Sequence, residues 1–554
     1  MEINFDDLQK ELDKSKKDEQ SQFDRDGYLI TFKGIKKQFI SILEKRKEIA
    51  YQKSYEAYMN SPKILLALAE IEEDDDHADL RRQKIEADAI KLGEKAKKEV
   101  VPTTSLRCAN FLKRYIRFIR IRPEGQGQRA PLFFYDPDSG VYAEDNEFLQ
   151  DLMATINPDT TERLANDALY KISHSVPLKD KQDSFVVVGN ELYNNKTGEF
   201  KPFDPSIIVT RKVKVGYNPN AEEPIINGWK PTEWLKGLFN NDKESYDLAI
   251  QIIRATITGK NLENIFWLHG VGGTGKGTFQ TLLENLVGAE NIASFKIDAT
   301  AGRFDTSILI GKSVVIGDDI QKDVIIQDTS IVFSLATGDP IKIEDKGRRP
   351  YTTRLKMTVV QSSNGFPRMN ADKKAIDRRF RVLSFSELKG KPDKRIKGDY
   401  VSRPKVLEYL VKLAIETPFR DVEPQKSINF LNEAYKEMNP VADFVDRFFN
   451  DDVIQCKYVP NGYVFECFKA YCKQHQNRNY FLTETALHKQ IKQILPKTFR
   501  SKQVTIKKGR IFFDGFSPNL VFNPWHFDAY NNGRGEKENL GKDKKERGYE
   551  KIDF

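Results

Sequence analysis

A glycine-rich segment in the middle of the chain constrains the fold more than any other feature. Residues 270–278 read Gly-Val-Gly-Gly-Thr-Gly-Lys-Gly-Thr, after the apolar run 265–268 and directly before Phe279. Successive backbone N–H groups point into such a loop only at dihedral angles that a Cβ disfavours, and a following helix adds its positive end. The segment therefore predicts a phosphate-binding loop between a strand and a helix.

The lysine in this loop and the residues around it receive expected roles. Lys276 is expected to reach the β and γ phosphates of a nucleoside triphosphate. The next position, where Ser or Thr usually holds Mg²⁺, is Gly277, and a hydroxyl follows one place later at Thr278. The predicted cofactors are ATP and Mg²⁺, with Thr278 as an expected metal contact. The predicted nucleotide contacts are Gly270, Gly272, Gly273, Thr274, Gly275, Lys276, Gly277, Thr278 and Phe279.

Two adjacent carboxylates end a second apolar run, about 40 residues after the loop. Residues 314–316 read Val-Val-Ile, and Gly317 leads to Asp318 and Asp319. A triphosphate site needs carboxylates to hold Mg²⁺ and to polarise the attacking water. We expect Asp318 to hold the metal and Asp319 to act on the water, although the assignment between the two stays open.

A basic hairpin is predicted next along the chain. Its strands are residues 341–344 and 352–355, with a turn at 345–347. Lys342, Lys346 and Arg348 lie on it, and such cations suit the phosphates of a nucleic-acid backbone. Taken alone, the segment is better explained as an ordinary solvated hairpin.

Further polar positions follow the hairpin. The apolar run 357–360 leads into Gln-Ser-Ser and then Asn364. An amide at the end of a strand beside the loop strand can contact the γ phosphate or the attacking water, and so sense cleavage. Arg378 and Arg379 come next, and a planar cation suits the charge on a transferring phosphoryl group. A surface charge pair is the alternative for the two arginines.

The order of these five elements resembles that of superfamily 3 helicases of the AAA+ class, over roughly residues 265–385. The similarity is closest to poxvirus-type primase-helicases and to replication proteins of phages, satellite phages and chromosomal islands. The resemblance implies an AAA+ P-loop ATPase core that forms a ring, a hexamer in this family, around one DNA strand. It implies that Lys346, with Lys342 and Arg348 near it, grips DNA in the central channel. It also implies that Arg378 or Arg379 acts on the neighbouring subunit's ATP.

The predicted fold class is α/β, and changes in composition divide the chain around this core. Residues 1–100 are rich in charge and offer little to bury. The whole chain carries a net charge of +8, which gives weak support for a polyanionic partner. The predicted units are a charged helical or partly disordered arm (1–100), a mixed α+β N-terminal domain (101–225), a helical linker or collar (226–262), the superfamily 3 AAA+ helicase core (263–430), a winged-helix-like DNA-binding domain (440–530) and a disordered tail (531–554).

The winged-helix prediction rests on helical patterns followed by a basic hairpin. A helix is expected from the N-cap Thr483 to Pro496, and two short strands are expected to flank residues 507–510. A small protein-binding or lid domain is the alternative. Cys467, Cys472 and His475 lack metal-site spacing, so zinc is not expected there. The predicted phosphate contacts are His488, Lys489 and Lys492 on the helix and Lys507, Lys508 and Arg510 on the wing.

Composition excludes several classes of protein. Hydrophobic residues make up 39% of the chain and charged residues 31%, and no apolar stretch approaches a membrane span. The first residues lack the order of a secretion signal, and four cysteines in 554 residues argue against a disulfide framework. A cytoplasmic protein without a membrane partner is expected.

The leading interpretation is an ATP-dependent DNA helicase that forms a ring and translocates on a single strand during replication of a phage or mobile element. Origin recognition by the terminal domain is a further expectation. Primase activity is not expected, because residues 1–100 are too short and too helical for a polymerase fold. Two alternatives stay open. One is a nucleotide kinase, since Gly-Lys-Gly-Thr also occurs in adenylate-kinase-like loops; the other is an initiator that uses ATP only as an assembly switch.

Overall fold

The structure is a computed structural model. It describes residues 23–71, 77–123, 130–297, 306–321, 325–326, 329–343, 351–369, 371–387, 393–449, 458–474, 482–506 and 544–552. No helix in this described part of the chain is both long and apolar enough to cross a membrane.

The described part of the chain begins with four helices, and helices and strands are mixed after them. The helices are α1 (Ile35–Met59), α2 (Pro62–Ala69), α3 (Ala78–Val100), α4 (Ser105–Tyr115), α5 (Asn146–Ile156), α6 (Glu162–Ser175), α7 (Pro231–Leu238), α8 (Lys243–Thr258), α9 (Lys276–Val287), α10 (Ser330–Thr337), α11 (Lys373–Arg379), α12 (Lys394–Gly398), α13 (Pro404–Glu416), α14 (Gln425–Met438), α15 (Pro440–Phe448), α16 (Asn461–Gln474) and α17 (Glu484–Ile494).

The strands of the described residues form six sheets of two to five strands. They are β1 (Phe118–Ile121), β2 (Leu132–Asp136), β3 (Val141–Ala143), β4 (Leu178–Lys179), β5 (Phe185–Val188), β6 (Glu191–Asn194), β7 (Phe200–Lys201), β8 (Lys212–Val213), β9 (Ile265–His269), β10 (Ile292–Ser294), β11 (Val314–Ile320), β12 (Ile325–Ile326), β13 (Pro340–Ile343), β14 (Tyr351–Arg354), β15 (Thr358–Ser363), β16 (Arg368–Met369), β17 (Phe380–Ser384), β18 (Tyr458–Pro460), β19 (Phe499–Ile506) and β20 (Lys544–Lys551).

The first helices form a hairpin whose base is part of the N-terminal core. Helices α1 and α3 pack together where Gly93 leaves room for the ring of Tyr51, since a Cβ there would lie 2.5 Å from that ring. Further along the packed pair, Ala89 is fully buried. At the base, Phe39 is fully buried and meets Phe111 of α4 edge to face, with ring centroids 5.4 Å apart. The prediction of a solvated arm ending at residue 100 is therefore wrong for its base, because aromatic side chains of α1 are needed to fill this core.

The rest of the N-terminal part contains two four-stranded sheets. The first has the order β3-β2-β1-β4 and packs against α4, α5 and α6. The second has the order β7-β6-β5-β8 and packs through Val186, Val188 and Tyr193 onto the core that follows. This part of the chain thus contains both helices and strands.

Helix α8 belongs to the central core rather than to a linker. Twelve of its sixteen residues, from Ser245 to Thr258, are buried. Among them Arg254 donates to the carbonyls of Ala414, Ile415 and Thr417 at the end of α13, and to the hydroxyl of Tyr193. A solvated collar would expose one face of such a helix, whereas α8 is enclosed by strands, helices and the second N-terminal sheet.

A five-stranded parallel sheet lies at the centre of the molecule, in the order β10-β11-β15-β9-β17. Side chains alternate across it, as strand geometry requires. In β9, Phe266 and Leu268 face α8, α9 and α13, while Ile265 and Trp267 face α10 and α14. Because helices cover both faces, both faces of β9 are apolar, which is typical of a buried parallel sheet. The chain is thus a mixed α/β protein.

A smaller C-terminal unit combines α15, α16 and α17 with an antiparallel sheet in the order β18-β20-β19. Its core includes Phe444, Phe448, Tyr463 and Tyr549. Strand β20 falls within residues 531–554, for which a disordered tail was predicted. That prediction is wrong for residues 544–551, because they pair with β19 along its whole length. The second strand predicted for the wing, residues 511–513, lies outside the described residues.

Candidate active site

The loop between β9 and α9 has the conformation that its glycines permit. Gly273 and Gly275 adopt φ of 82° and 99°, in the left-handed region where side chains are disfavoured. Gly275 is the N-cap of α9, and a Cβ on it would lie 2.7 Å from Cδ2 of Leu238. Thr274 is buried and its hydroxyl donates to the carbonyl of Val271 at 2.9 Å. The order along the chain is strand β9, the loop and helix α9.

Lys276 is the first residue of α9, and its ammonium folds back over the loop. It donates to the carbonyls of Gly270 and Val271, at 3.0 Å for Val271, and to Oδ1 of Asn364 at 3.1 Å. Burial lowers the pKa of Lys276, and the nearby carboxylates of Asp318 and Asp319 oppose that shift. The predicted loop lysine and the predicted amide are therefore in direct contact.

The paired carboxylates lie at an irregularity near the end of β11. The register with β15 shifts between Gly317 and Ile320, and Asp319 has φ of 53°. Ser362 of β15 donates from Oγ to Oδ1 of Asp318 at 2.6 Å and accepts the backbone N–H of Asp319 at 3.2 Å. Both aspartates are exposed. One serine thus holds the two consecutive residues in place, and sequence reasoning missed it.

Gln361, also missed, fixes the strands around the carboxylates. It is fully buried, accepts the N–H of Ile297 at 3.2 Å and donates to the carbonyl of Phe295 at 3.1 Å. A Cβ on Gly317 would lie 2.1 Å from its Oε1, so only glycine fits before the aspartates. Lys296 then reaches the carbonyl of Asp319 at 3.3 Å.

Strand order brings the polar groups together. Because β15 lies between β9 and β11, Asn364 at its end is between the loop lysine and the two aspartates. The carboxyl ends of parallel strands meet at one edge of the sheet, and ligands of open α/β sheets bind outside that edge. The site therefore combines a glycine loop, one lysine, one amide and two carboxylates.

A second lysine stands over the unusual glycine of the loop. Nζ of Lys397, on α12, lies 3.4 Å from the position that a Cβ of Gly277 would take. The place where loops of this kind usually carry a Ser or Thr hydroxyl is thus next to an ammonium group. Lys397 is exposed and lies about 120 residues further along the chain, so no local pattern indicates it.

Two predicted nucleotide contacts differ in their placement. Phe279 is fully buried, and its ring packs against Phe385 at a centroid distance of 6.0 Å. Its side chain is one turn into α9 and points into the core, so a contact of Phe279 with nucleotide would have to come from its backbone N–H. Thr278 is half-buried in the first turn of α9, on the same segment as the loop.

The two arginines are not at this edge. Arg378 and Arg379 end α11 and directly precede β17, whose first residue Phe380 pairs with Ile265 at the start of β9. They lie at the opposite edge of the sheet from the loop, about 13 Å away along the five residues of β9. Arg378 is exposed, while the guanidinium of Arg379 stacks over Phe333 at 4.3 Å. Within one chain, neither reaches the loop along this path.

The predicted DNA contacts are only partly within the described residues. Strands β13 and β14 pair antiparallel as the arms of the predicted hairpin, and Lys342 is exposed on β13 opposite Thr352. Lys489 and Lys492 are exposed on α17. The remaining candidates lie outside the described residues: Lys346, Arg348, Lys507, Lys508 and Arg510.

His488 is the exception on α17. It is buried, with its ring hydrogen-bonded to the hydroxyl of Tyr549 at 2.8 Å and to the carbonyl of Asn461 at 3.0 Å. The prediction that His488 contacts phosphate is wrong, because it ties α17 to β20 and α16 inside the C-terminal core. Its position beside Leu487 and Ile491 at helical spacing was the available signal.

The donor set suits one kind of metal. Within the described residues, no group of three or more His, Cys, Asp or Glu side chains is arranged to hold an ion. Mg²⁺ is commonly bound by one or two carboxylates, with water and phosphate oxygens completing the shell. The exposed pair Asp318 and Asp319 beside the loop fits that mode, and it does not fit a closed all-protein cage.

Three family models match separate segments of the chain. Residues 106–235 match the model described as D5 N terminal like, and residues 436–532 match the model described as Poxvirus D5 protein-like. Between them, residues 268–379 match a family of unknown function, DUF5906. D5-like segments thus lie on both sides of the segment that contains the loop, the aspartates and Asn364.

The solved structures that are similar to this chain include apo structures of the C-terminal region of NrS-1. Its A form has 14% identity and a TM-score of 0.45, and the match covers 73% of this chain and 96% of that one. A second apo structure of the region has 14% identity and a TM-score of 0.42, with 73% and 97% covered. No curated protein sequence matches the chain.

Proposed function

We propose that this chain is an ATP-dependent DNA helicase of the superfamily 3, AAA+ class, which acts in the replication of a phage or mobile genetic element. The D5-like segments on both sides of the core support a replication protein of the poxvirus and phage primase-helicase type. The helicase activity itself rests on the chemistry of the candidate active site and on the basic elements around it.

The observation that carries the proposal is the direct contact between Lys276 and Asn364, with Asp318 and Asp319 on the next strand. A γ phosphate bound by Lys276 would lie beside the amide of Asn364, which can donate to a phosphate oxygen or to a water. The carboxylate of Asp318 or Asp319, on the neighbouring strand β11, can accept a proton from that water. Positioning and electrostatics supply most of the catalysis of phosphoryl transfer, and these groups supply both.

ATP and Mg²⁺ fit these residues. The backbone N–H groups of residues 270–275 and Lys276 would hold the phosphates. Asp318, oriented by Ser362, and the hydroxyl of Thr278 would hold the metal, whose chemistry is to neutralise charge on the β and γ phosphates. Lys397 would add a second cation near Gly277. Asp319 would orient the attacking water.

The position of the arginines supports a ring. Arg378 and Arg379 are at the edge of the sheet opposite their own loop, so either can act on ATP only in another copy of the chain. An arginine supplied in trans is a known device for stabilising a transferring phosphoryl group. We propose a homo-oligomer, a hexamer by resemblance, in which ATP binds between subunits.

The basic elements supply the proposed DNA contacts. Lys342 on β13, and the lysine and arginine that follow it in the hairpin, would face the central channel of the ring and hold one strand by its phosphates. Lys489 and Lys492, on the exposed face of α17, would contact phosphates of duplex DNA through a winged-helix-like C-terminal unit. Primase activity is not part of the proposal.

The test measures ATP hydrolysis by the full chain with and without single-stranded DNA, together with unwinding of a tailed duplex. We expect DNA to stimulate hydrolysis and Lys276→Ala to abolish both activities, while the exposed control Lys405→Ala leaves them unchanged. Lys346→Ala should keep basal hydrolysis but lose stimulation and unwinding.

Other outcomes would identify the alternatives. Unwinding by Lys276→Ala at the wild-type rate would refute the proposal. Phosphoryl transfer to a nucleoside monophosphate, without a response to DNA, would indicate a nucleotide kinase. Nucleotide-dependent assembly without unwinding would indicate an initiator that uses ATP as a switch. The mass of the assembly with ATP and DNA gives the number of subunits.

A further inference from the structure

A large cleft separates the N-terminal part from the edge of the central sheet that lies opposite the loop. It has a volume of about 1920 Å³ and is bounded on one side by β2, β3 and α6. On the other side lie the residues that precede β9, β11 and β15, together with β14. Because those residues are at the amino ends of the parallel strands, the cleft is distinct from the candidate active site.

The cleft is strongly basic. Eight of its lining residues are lysine or arginine and three are aspartate or glutamate. Lys196 and Lys260 are exposed, and so is Arg122, which forms an ion pair with Asp180 at 2.8 Å. A concave surface lined mostly by one sign of charge concentrates the field and attracts ions of the opposite sign.

Three of the cleft's cations surround one aspartate. The carboxylate of Asp183 lies 2.8 Å from Nζ of Lys356 and 3.4 Å from Nζ of Lys181. Burial acts to raise the pKa of Asp183, but the charges of Lys181 and Lys356 outweigh it and hold that pKa below its usual value. Arg211 is also within reach of this carboxylate's field. One carboxylate therefore faces three cations. The cluster keeps a net positive charge, which an added anion would neutralise.

Arg211 is held deep in the cleft by a glycine. Its guanidinium occupies the space above Gly259, where a Cβ would lie 1.0 Å from Nη1. Gly259 caps α8, so the guanidinium is beside the negative end of that helix. Burial lowers the pKa of Arg211 to about 10, which leaves it charged at neutral pH. A permanent positive charge is thus built into the floor of the cleft.

Aromatic rings lie among these cations. Phe133, Tyr170 and Tyr351 line the cleft, and Tyr170 is 54% exposed. Cations alternating with aromatic faces are typical of surfaces that bind single-stranded nucleic acid, where the backbone contacts the cations and unpaired bases stack on the rings. A duplex keeps its bases inside and would not use the rings. The cleft also reaches Arg354 at the base of β14, which leads from the predicted DNA-binding hairpin.

We propose that this cleft is a second DNA-binding site, which holds a segment of single-stranded DNA between the N-terminal part and the central sheet. The inference rests on the proposed function, because a DNA helicase is the reason to expect DNA in this cleft. It adds a path for the strand that lies outside the predicted hairpin and away from the site of ATP.

The test measures binding of a fluorescent oligothymidylate to the full chain without nucleotide, over a range of salt concentrations. The variant Arg122→Ala, Lys196→Ala, Lys260→Ala removes three exposed cleft cations. We expect at least 10-fold weaker binding, and a slope of log K against log salt that is smaller by about 2, because each phosphate contact contributes about 0.7 for single strands. The aromatic variant Tyr170→Ala should also weaken binding.

The matched control is Lys63→Ala, Lys84→Ala, Lys405→Ala, which removes the same charge from exposed positions elsewhere. It should bind like the wild type. Equal affinity for the two triple variants would overturn the proposal, and so would equal competition by a duplex of the same length. Photocrosslinking of a bromouracil oligonucleotide should reach peptides that contain Phe133 or Tyr170. Crosslinks confined to the hairpin peptide would count against the cleft.

The two proposals fail separately. Binding without nucleotide does not require hydrolysis, so it is informative even if the wild type neither hydrolyses ATP nor unwinds DNA. Basal ATP hydrolysis should be the same in both triple variants, since none of the changed residues touches the candidate active site. A loss of basal hydrolysis confined to the cleft variant would show that the substitutions disturb the core, and would overturn the assignment of a separate site.

Discussion

Ser362 and Asp318 are joined across two parallel strands by a hydrogen bond of 2.6 Å, in which the serine hydroxyl donates to the carboxylate. The same hydroxyl accepts the backbone N–H of Asp319 at 3.2 Å. The serine thus determines where both carboxylates point, although nothing in the structure gives it a chemical role of its own.

Replacing that serine should slow ATP hydrolysis without preventing nucleotide binding. We expect Ser362→Ala to lower kcat by roughly 10- to 100-fold, because groups that orient a metal-binding carboxylate have effects of this size. KM for ATP should change little, since the phosphates are held by the loop and Lys276. Steady-state kinetics give both values. The neighbouring Ser363→Ala, whose hydroxyl donates to the carbonyl of Ile320, is the control and should retain a higher kcat.

Removing the ammonium of Lys397, which lies above Gly277, should weaken the binding of ATP rather than lower kcat. We expect Lys397→Ala to raise KM for ATP several-fold, because a cation beside the phosphate loop favours a bound anion. The exposed Lys394, on the same short helix, provides the control Lys394→Ala. Titration with a fluorescent ATP analogue measures the affinity directly. Equal affinities for both variants would contradict a phosphate contact by Lys397.

The buried guanidinium of Arg254 should matter for stability. It donates to the carbonyls of Ala414 at 2.9 Å and Thr417 at 2.7 Å, and to the hydroxyl of Tyr193 at 3.1 Å. Arg254→Ala leaves these acceptors unpaired, which should cost about 3 kcal/mol. A fall of roughly 6 to 12 °C in the melting temperature should follow. The exposed Arg420→Ala should change it little.

The C-terminal unit should lose stability in mild acid because of His488. Burial lowers the pKa of this imidazole, and the charge of Lys492 acts in the same direction, while the bond to Asn461 and the charge of Glu484 oppose it. The unfolded chain then binds more protons than the folded one, so stability falls as pH drops below the ordinary value of 6.5. Melting curves between pH 5 and 8 should show this decline.

The corresponding control is His488→Gln, which keeps hydrogen-bonding groups but does not titrate. Its melting temperature should be lower overall and should vary less between pH 5 and 7 than that of the wild type. The same pH dependence in both proteins would mean that another group is responsible. Glu550, whose pKa is lowered chiefly by the hydrogen bond from Lys502 and also by Arg500, titrates below this window.

The parts of the candidate active site that could be predicted are those determined by short segments. Gly273 and Gly275 are needed for backbone angles within the loop itself, and Lys276 follows because the helix begins there. The aspartates were recognisable because they end an apolar strand. The contact between Lys276 and Asn364 was expected only in general terms, because it depends on β15 lying beside β9.

The missed residues act across strands or between distant parts of the chain. Ser362 and Gln361 are small or neutral polar residues in a buried strand, and their roles appear only once β11 and β10 are placed beside them. Lys397 reaches Gly277 from a helix about 120 residues away. Local periodicity and residue spacing do not predict contacts between segments that are so far apart in the sequence.

The wrong predictions have the same physical origin. Residues 544–551 are polar and charged, which favoured a disordered tail, yet they pair with β19 and place Tyr549 in an apolar core. Phe39 was assigned to a solvated arm because its surroundings in sequence are charged. In both cases a few aromatic residues decide whether a charged segment folds. Burying one ring contributes more to the free energy of folding than many exposed charges cost.

The place of β20 between β18 and β19 bears on how this protein should be engineered. A chain cut near residue 530, where the sequence suggested a domain end, would lose the middle strand of a three-stranded sheet and leave two unpaired edges open to self-association. Residues 507–543 instead connect two neighbouring strands of that sheet. A C-terminal cut that keeps residues 544–551 would leave β18, β19 and β20 paired.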